Sequence, residues 1–259
     1  MDGRGQAAHL NLIESSRRLF ELDSGAAVEA GQGYLLAAGT ASHPVISNAA
    51  FRIDDGLDPD ELVEQARDFF GARGRRFTVW TRAGVEDDRE LIAALERGGF
   101  QKVFAMPEMV LDRPPDPCPP PAGVELRRVS SARDAEAYWK VAAEAYVTNG
   151  FPPEVFEFYD KHDCLWADGV AAFLALLDGR PASIAMTIVN HGVAGIYWVG
   201  TCQDARGQGL GAMATTAAVE AGFEAGCGLV SLQASLLGRP IYERMGFEAI
   251  FDYELYLCG

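Results

Sequence analysis

The spacing of apolar and polar residues along the chain alternates between a helical and an extended period, which predicts a mixed α/β protein. Apolar residues three or four positions apart indicate helices, whereas short alternating or continuous apolar runs indicate strands. In the first part of the chain the pattern predicts a helix at 6–20, strands at 33–38 and 45–53, a helix at 59–71, a strand at 76–82, a helix at 86–97 and a strand at 101–111. The helix at 59–71 has a defined start, because Asp58 can serve as its N-cap and Pro59 suits the first turn.

The later part of the chain contains three consecutive predicted strands. A strand at 124–129 precedes a helix that Ser131 opens, with Asp134 placed as in a capping box. The pattern then predicts a helix near 153–160, strands at 170–177, 182–190 and 194–201, a helix at 209–225, a strand at 229–234, a helix near 239–244 and a strand at 248–257. Short turns separate the three consecutive strands as in an antiparallel meander, so we expect a mixed α+β domain with one twisted sheet.

A proline-rich stretch at 113–122 lies between these two parts. Its prolines remove backbone donors and favour extended geometry, so we expect a linker between a domain at 1–112 and a domain at 123–259. Segments 95–104 and 242–251 match at Glu, Arg, Gly, Phe and Phe. Any helix that ends in a glycine C-cap before a strand could give a similar match. Because the order of the elements also agrees, we favour a duplication, with two similar sheets side by side.

The composition narrows the class of protein. A chain of 259 residues with 49% hydrophobic residues is long enough for two domains. The net charge of -15 is spread over both halves without a basic stripe, which argues against nucleic acid and anionic membranes as partners. A neutral or cationic substrate fits this charge better.

The cysteines and the apolar runs predict the compartment. The five cysteines are odd in number and widely spaced, with no CxxC pair, so we expect reduced thiols and no metal site. They are Cys118, Cys164, Cys202, Cys227 and Cys258. The longest apolar run, 170–177, is far shorter than the roughly 18 residues of a membrane span, and charges near the N-terminus interrupt any signal-peptide core. We expect a soluble cytoplasmic protein, either a monomer or a homodimer.

A glycine-rich turn follows the third strand of the meander and opens the helix at 209–225. It reads Arg206-Gly207-Gln208-Gly209-Leu210-Gly211, followed by Ala212. Glycines let backbone N–H groups approach a ligand, and a helix N-terminus favours a pyrophosphate. The alternative is a turn that binds nothing. A dinucleotide site is disfavoured, because the turn follows a meander and the next strand ends without an acidic residue for the ribose.

Residues 124–257 resemble the GNAT family of N-acetyltransferases, whose members carry an acyl-CoA N-acyltransferase fold. The resemblance rests on an Arg/Gln-x-x-Gly-x-Gly/Ala loop, matched by Arg206, Gly209 and Gly211, and on a Tyr-x-x-x-Gly-Phe element, matched by Tyr242, Gly246 and Phe247. It implies that acetyl-CoA is the co-substrate, held by the loop residues 206–212 in a V-shaped opening between the fourth and fifth strands. Backbone groups near Val199 and Thr201 would meet the pantetheine, and Gly200 would be the site of the bulge that separates the strands.

The resemblance also assigns Tyr242 as the acid that protonates the leaving thiolate. The alternative is a half-buried tyrosine that serves only packing. Five residues could act as the base, and the sequence does not choose among them: Glu144, Tyr146, His162, Asp163 and Tyr197. Family members often have Asn before the tyrosine to contact the coenzyme, whereas this chain offers Ser235, which could equally cap the following turn.

The first half lacks this machinery. Leu95 stands where the repeat places the tyrosine, and an acidic stretch at 54–58 stands where it places the glycine loop. Acidic side chains would repel a pyrophosphate, so we expect a degenerate copy without a coenzyme site, an unrelated α/β cap being the alternative. This half would shape the acceptor side or an assembly interface. The resulting hypothesis is an N-acetyltransferase acting on an amine of a small molecule or peptide, and the alternative is a non-catalytic acyl-CoA-binding regulatory module.

Overall fold

The computed structural model describes residues 1–115, 122–159 and 161–259. These residues form six α-helices, eleven β-strands and several 3₁₀ turns. The helices are α1 (Gly3–Phe20), α2 (Pro59–Gly71), α3 (Arg89–Arg97), α4 (Ala132–Tyr146), α5 (Leu210–Glu224) and α6 (Arg239–Arg244). The strands are β1 (Ala27–Ala30), β2 (Tyr34–Ala38), β3 (Asn48–Arg52), β4 (Thr78–Ala83), β5 (Gln101–Leu111), β6 (Val124–Arg128), β7 (Val170–Leu177), β8 (Arg180–Asn190), β9 (Val193–Thr201), β10 (Leu229–Gln233) and β11 (Glu248–Leu257).

All eleven strands of the described residues belong to one sheet, in the order β1-β2-β3-β4-β11-β5-β10-β9-β8-β7-β6. The two halves exchange strands at its centre: β5 of the first half lies between β10 and β11, and β11 of the second half lies between β4 and β5. In each half the strand next to the exchanged one has a parallel partner on its other side, β3 beside β4 and β9 beside β10. This matching arrangement is what a duplicated unit would produce. The expected pair of neighbouring sheets is thus replaced by one continuous sheet.

The strand exchange bears on the expected boundary at 113–122. Most of that stretch, 116–121 with Cys118, lies outside the described residues. The strands on either side of it, β5 and β6, belong to the same sheet. The backbone of β5 hydrogen-bonds to two strands of the second half, so removing the first half would unpair both of them. The division into domains at 1–112 and 123–259 stays a prediction.

Helices cover both faces of the sheet. One face packs against α1 and α4, in a core that includes Leu12, Tyr138 and Tyr253. The other face packs against α2 and α3 over the first strands and against α5 and α6 over the later ones. Alternation along β11 separates the faces, since Leu255 belongs to the first core and Tyr256 to the core under α2 and α3.

Most predicted elements are confirmed, with a few differences. Ser131 caps α4 by accepting a hydrogen bond from the Asp134 amide at 3.2 Å, and its hydroxyl donates to the Asp134 carboxylate at 2.8 Å. The helix predicted near 153–160 is wrong within the described residues, where Pro153–Phe156 form a 3₁₀ turn and no α-helix follows up to residue 159. Strand β1 was not predicted. No helix in the described part of the chain is long and apolar enough to cross a membrane.

Candidate active site

The two parallel strands β9 and β10 separate part-way along their length. Within the described residues they pair in register only from Val193 to Gly195 against Leu229 to Ser231. The rest of β9, from 196 to 201, and the last two residues of β10 run on without this pairing. Unpaired peptide groups on two diverging strands form a cleft that can accept an extended polar ligand. The V-shaped opening implied by the family resemblance is therefore present between these strands.

A β-bulge in β9 marks one wall of this opening. Met186 of β8 faces Tyr197 and Ile184 faces Gly200, so Trp198 and Val199 together stand opposite the single residue Ala185. Trp198 adopts a left-handed backbone conformation with φ of 48°, as expected for a bulged residue under constraint. The expectation that Gly200 is the bulge is wrong by one to two positions.

Neighbouring side chains hold the bulge. The Tyr138 hydroxyl donates to the Trp198 carbonyl at 3.2 Å, and the Trp198 ring contacts Tyr146 and Phe156 at centroid distances of 5.2 and 5.1 Å. Gly200 has a different role, because a Cβ there would lie 2.8 Å from Cβ of Ala145. Its absence lets α4 pack closely against β9. The bulge takes Val199 out of regular pairing with β8, and the contact of this residue with the coenzyme stays a prediction.

The glycine-rich turn joins the end of β9 to α5. Gly207 and Gly209 have φ of 76° and 83°, values that favour glycine, and residues 206–209 are exposed. Gly209 is the N-cap of α5 and has no side chain, so the first amides of the helix, at Leu210, Gly211 and Ala212, have no side-chain cap. A Cβ on Gly211 would lie 3.0 Å from Oγ1 of Thr201, so this glycine lets the helix start close to the strand end. The turn has the geometry of an anion site.

Arg206 stabilises this turn through contacts within the protein. Its guanidinium donates to the carbonyl of Thr201 at 3.0 Å, to the carbonyl of Ala145 at 3.2 Å and to Oγ1 of Thr148 at 2.8 Å. Oγ1 of Thr201 lies 2.8 Å from Oγ of Ser183 on β8. These contacts connect the turn to α4 and to the meander, so Arg206 positions the loop, while Gln208 is exposed at its tip.

Tyr242 lies on α6, at the other wall of the opening. Its ring packs edge-on against Phe247 with centroids 5.9 Å apart, and a Cβ on Gly238 would lie 2.8 Å from its ring. Burial raises the pKa of Tyr242 above its usual range, so the phenol keeps its proton at neutral pH. Burial and the Tyr242 phenol also raise the pKa of Tyr146. A protonated phenol at the edge of the cleft can act as an acid.

Comparison with known proteins agrees with this geometry. The model of the acetyltransferase (GNAT) family matches residues 136–247, which include the bulge, the glycine-rich turn and Tyr242. Residues 136–247 form a GNAT acetyltransferase domain. No curated protein sequence matches the chain. The resemblance drawn from Arg206, Gly209, Gly211 and Tyr242 is confirmed at the level of the family.

Solved GNAT structures share the fold over almost the full chain. A GCN5-related N-acetyltransferase from Kribbella flavida has a TM-score of 0.70 at 23% identity, covering 97% of this chain and 95% of that chain. A second, from Sphaerobacter thermophilus, has a TM-score of 0.65 at 17% identity, covering 99% and 93%. A tandem GNAT protein from the clavulanic acid biosynthesis pathway has a TM-score of 0.63 at 16% identity, covering 98% and 94%. These likenesses show that the first half is part of the shared fold.

Ser235 caps a turn in this GNAT domain. Its Oγ accepts a hydrogen bond from the Gly238 amide at 3.1 Å, and its carbonyl accepts from the amides of Gly238 at 3.1 Å and Arg239 at 2.9 Å. The hydroxyl is thus used in the loop that carries Tyr242 to its position. Of the two roles considered for Ser235, the structure contains the capping contact.

The five candidate bases occupy different surroundings. The Tyr197 hydroxyl donates to Oδ1 of Asn11 at 2.8 Å and is buried. Tyr146 and Glu144 lie in the last turn of α4, Tyr146 half-buried and Glu144 exposed. His162 and Asp163 lie in a 3₁₀ turn that packs against α4 and β7.

A buried carboxyl group, not among the five candidates, was missed by the sequence reasoning. Glu108 is fully buried on β5, the strand that the first half inserts beside β10. Its signal in the sequence is a single charge within the apolar stretch 106–111. Such a charge is rare in a buried strand, and nothing in the local pattern shows that this strand is paired on both sides.

The corresponding region of the first half is closed by ion pairs. Past the point where β3 and β4 pair, Arg52 and Arg82 both contact the buried carboxylate of Asp88 at 2.7 Å, and Arg82 also pairs with Asp55. Burial favours a raised pKa for Asp88, but the hydrogen bonds and charge of Arg82 outweigh it and hold this pKa below its usual range. Arg52 and Arg82 lie at the ends of β3 and β4, so these ion pairs hold the two strand ends together. The first copy is therefore degenerate.

Proposed function

We propose that the protein is an acetyl-CoA-dependent N-acetyltransferase that acetylates an amine of a small molecule or peptide by direct attack. The observation that carries the proposal is that three features converge: the unpaired ends of β9 and β10, the exposed glycine-rich turn at the start of α5, and the buried phenol of Tyr242. The amides at the start of α5 suit a pyrophosphate, and the cleft suits an extended pantetheine arm. Acetyl-CoA supplies the activated thioester.

The residues of this chain contribute position and protons. The backbone of β9 around Val199 offers hydrogen-bonding groups along the cleft, because the bulge removes them from regular pairing. Tyr242 keeps a proton on its phenol oxygen and can donate it to the departing thiolate sulfur as the carbon–sulfur bond breaks. The net charge of -15 favours an acceptor that is neutral or cationic over an anionic one.

A thiol-release assay tests the proposal. Acetyl-CoA is supplied with a panel of primary amines, and free thiol is followed with a chromogenic disulfide while calorimetry measures coenzyme binding. We expect amine-dependent thiol release. Tyr242→Phe should bind acetyl-CoA as the wild type does and turn over about ten- to ten-thousand-fold more slowly. Tyr34→Phe, which removes a phenol from β2 in the first half, is the matched control and should keep the wild-type rate.

The outcomes separate the two hypotheses. Binding of one coenzyme per chain without thiol release for any amine would support the regulatory module and refute the enzyme. Absence of binding would show that the glycine-rich turn is not a coenzyme site. An unchanged rate for Tyr242→Phe across pH would make the phenol structural.

A further inference from the structure

The segment that joins α4 to β7 lies against the bulge at Trp198 and has little regular structure of its own. In its described residues, 147–159 and 161–169, the backbone forms 3₁₀ turns and no α-helix. Hydrogen bonds in 3₁₀ turns have poorer geometry than those in α-helices, so contacts with other parts of the chain are needed to fix the segment. We call these residues the connecting segment.

The loop that follows α1 in the first half holds the connecting segment through its backbone. Asp23 forms an antiparallel β-bridge with Tyr159. The carbonyl of Leu22 accepts a hydrogen bond from the amide of Lys161 at 3.3 Å, and the Lys161 ammonium donates to the carbonyl of Glu21 at 2.7 Å. These bonds attach the connecting segment to the end of the first helix of the other half.

The loop between β2 and β3 holds the connecting segment through one ring. His43 contacts Phe151 edge-on, with ring centroids 5.3 Å apart and an angle of 77° between the rings. The loop itself orients the His43 ring, because its Nδ1 accepts from the amides of Val45 and Ile46 at 3.3 and 3.4 Å. The His43 carbonyl also accepts from the amide of Ser47 at 2.9 Å. The first half therefore presents a fixed ring to Phe151.

The carboxylate of Asp23 joins these two loops to each other. Asp23 is 7% exposed, and its Oδ1 accepts from the amide of Gly25 at 2.9 Å and from Oγ1 of Thr40 at 2.7 Å. Its Oδ2 accepts from the amide of Thr40. Because a buried carboxylate with three donors restrains both loops, residues 21–26 and 39–47 act as one unit. We call this unit the clamp.

The connecting segment supplies rings that surround Trp198. Phe156 and Tyr159 contact the Trp198 ring with centroids 5.1 and 5.9 Å apart. Phe151 lies 6.1 Å from the ring of Tyr146, which in turn lies 5.2 Å from that of Trp198. A φ of 48° costs free energy in a residue with a bulky side chain, so the bulge persists only where the surrounding contacts hold it. The clamp thus acts on the wall of the cleft through these rings.

We propose that the clamp positions the bulge at Trp198 for coenzyme binding, with His43 and Asp23 as positioning residues. This inference rests on the proposed acetyltransferase function, since the bulge forms one wall of the cleft assigned to acetyl-CoA. Without the clamp, the bulge relaxes towards regular pairing with β8 in a fraction of the molecules, and those molecules lack the cleft. The apparent affinity for a ligand falls in proportion to the fraction of molecules that can bind it. The degenerate first half therefore contributes to the site of the second half.

Fluorine NMR and calorimetry on the full-length chain test the inference. The four tryptophans, labelled as 5-fluorotryptophan, give one resonance each, and the resonance missing in Trp198→Phe belongs to Trp198. His43→Ala removes the ring on the clamp side of the contact, and Phe151→Leu removes the ring on the other side. His191→Asn, in the exposed turn between β8 and β9, is the matched control, because asparagine tolerates the left-handed backbone at that position.

We expect His43→Ala and Phe151→Leu to shift the Trp198 resonance in the coenzyme-free protein and to weaken acetyl-CoA binding by about fivefold or more. The double variant should bind within about twofold of the weaker single variant, because both changes break the same contact. His43→Phe restores an aromatic ring and should recover most of the affinity. His191→Asn should match the wild type in both measurements. Calorimetry well below the unfolding temperature of each variant ensures that only folded molecules are compared.

Two results would overturn the inference while leaving the proposed function intact. One is an acetyl-CoA dissociation constant within about twofold of the wild type in both His43→Ala and Phe151→Leu. The other is weaker binding with an unshifted Trp198 resonance, because the loss would then not pass through the bulge. If one of the two variants does not fold, the other decides, since each removes one side of the same contact. A wild type that binds no acetyl-CoA refutes the proposed function, and the inference with it.

Discussion

The buried carboxyl of Glu108 should make the stability of the protein fall as pH rises, and Glu108→Gln should remove that fall. Burial raises the pKa of Glu108 from 4.5 to about 8, so between these values the folded protein holds a proton that the unfolded chain has lost. A raised folded-state pKa contributes stability that is fully present below pH 4.5 and is lost as pH rises through 8. The effect does not depend on the coenzyme or on any acceptor.

The size of the effect follows from the difference between the two pKa values. Stability changes by about 1.4 kcal/mol per pH unit while one proton separates the two states. Between pH 5.5 and pH 8 this amounts to about 3 kcal/mol, an upper limit because water entering a partly open sheet would lessen it. Two histidines act in the opposite direction at lower pH: burial lowers the pKa of His9 to about 4 and lowers that of His43. Both remain in the variant, so their contribution cancels when the two proteins are compared.

Urea denaturation at pH 5.5, 7 and 8.5 measures the effect. The free energy of unfolding of Glu108→Gln minus that of the wild type should increase by about 3 kcal/mol from the lowest to the highest pH. The interval from pH 7 to pH 8.5 is the most direct, since most of the histidine titration lies below it. Glu248→Gln, at an exposed position, should show no such trend. A difference between Glu108→Gln and wild type that stays constant within about 0.5 kcal/mol would refute the reasoning, because Glu108 would then titrate as it does in water.

Three further results are expected. Gly209→Val places a β-branched side chain at φ of 83° in front of the first amides of α5. Calorimetry should therefore show at least about tenfold weaker acetyl-CoA binding, and unchanged binding would exclude the turn as the pyrophosphate site. Asp88→Asn leaves the buried guanidinium groups of Arg52 and Arg82 without their shared anion and should cost about 3–5 kcal/mol in urea denaturation, whereas a loss below about 1 kcal/mol would mean that water solvates them. A fragment of residues 122–259 lacks α1 and β5 and should show no cooperative melting until residues 1–121 are added. A monomeric fragment that is stable by itself would contradict the strand exchange.

Local features of this chain could be predicted from its sequence because they depend on neighbours along the chain. The bounds of α2 follow from Asp58, Pro59 and the apolar period, and β11 occupies the predicted residues because its apolar run is bounded by turn signals. The glycine-rich turn at 206–211 and the element around Tyr242 combine residue type with spacing, and this combination identified the family and two parts of the candidate site. The positive φ at Gly209 follows from the lack of a side chain.

The tertiary structure alone decided which distant segments meet. The local sequence does not predict that β5 pairs with β10 and β11, because the edges of a strand can pair with any strand of suitable register. Packing of the whole sheet decides which strands become neighbours. The bulge lies at Trp198, a residue without preference for a left-handed conformation, because the Tyr138 hydrogen bond and an aromatic cluster hold it there. Glu108 is an ordinary surface-type residue in the sequence, and only its place between two strands of the other half removes it from water and raises its pKa.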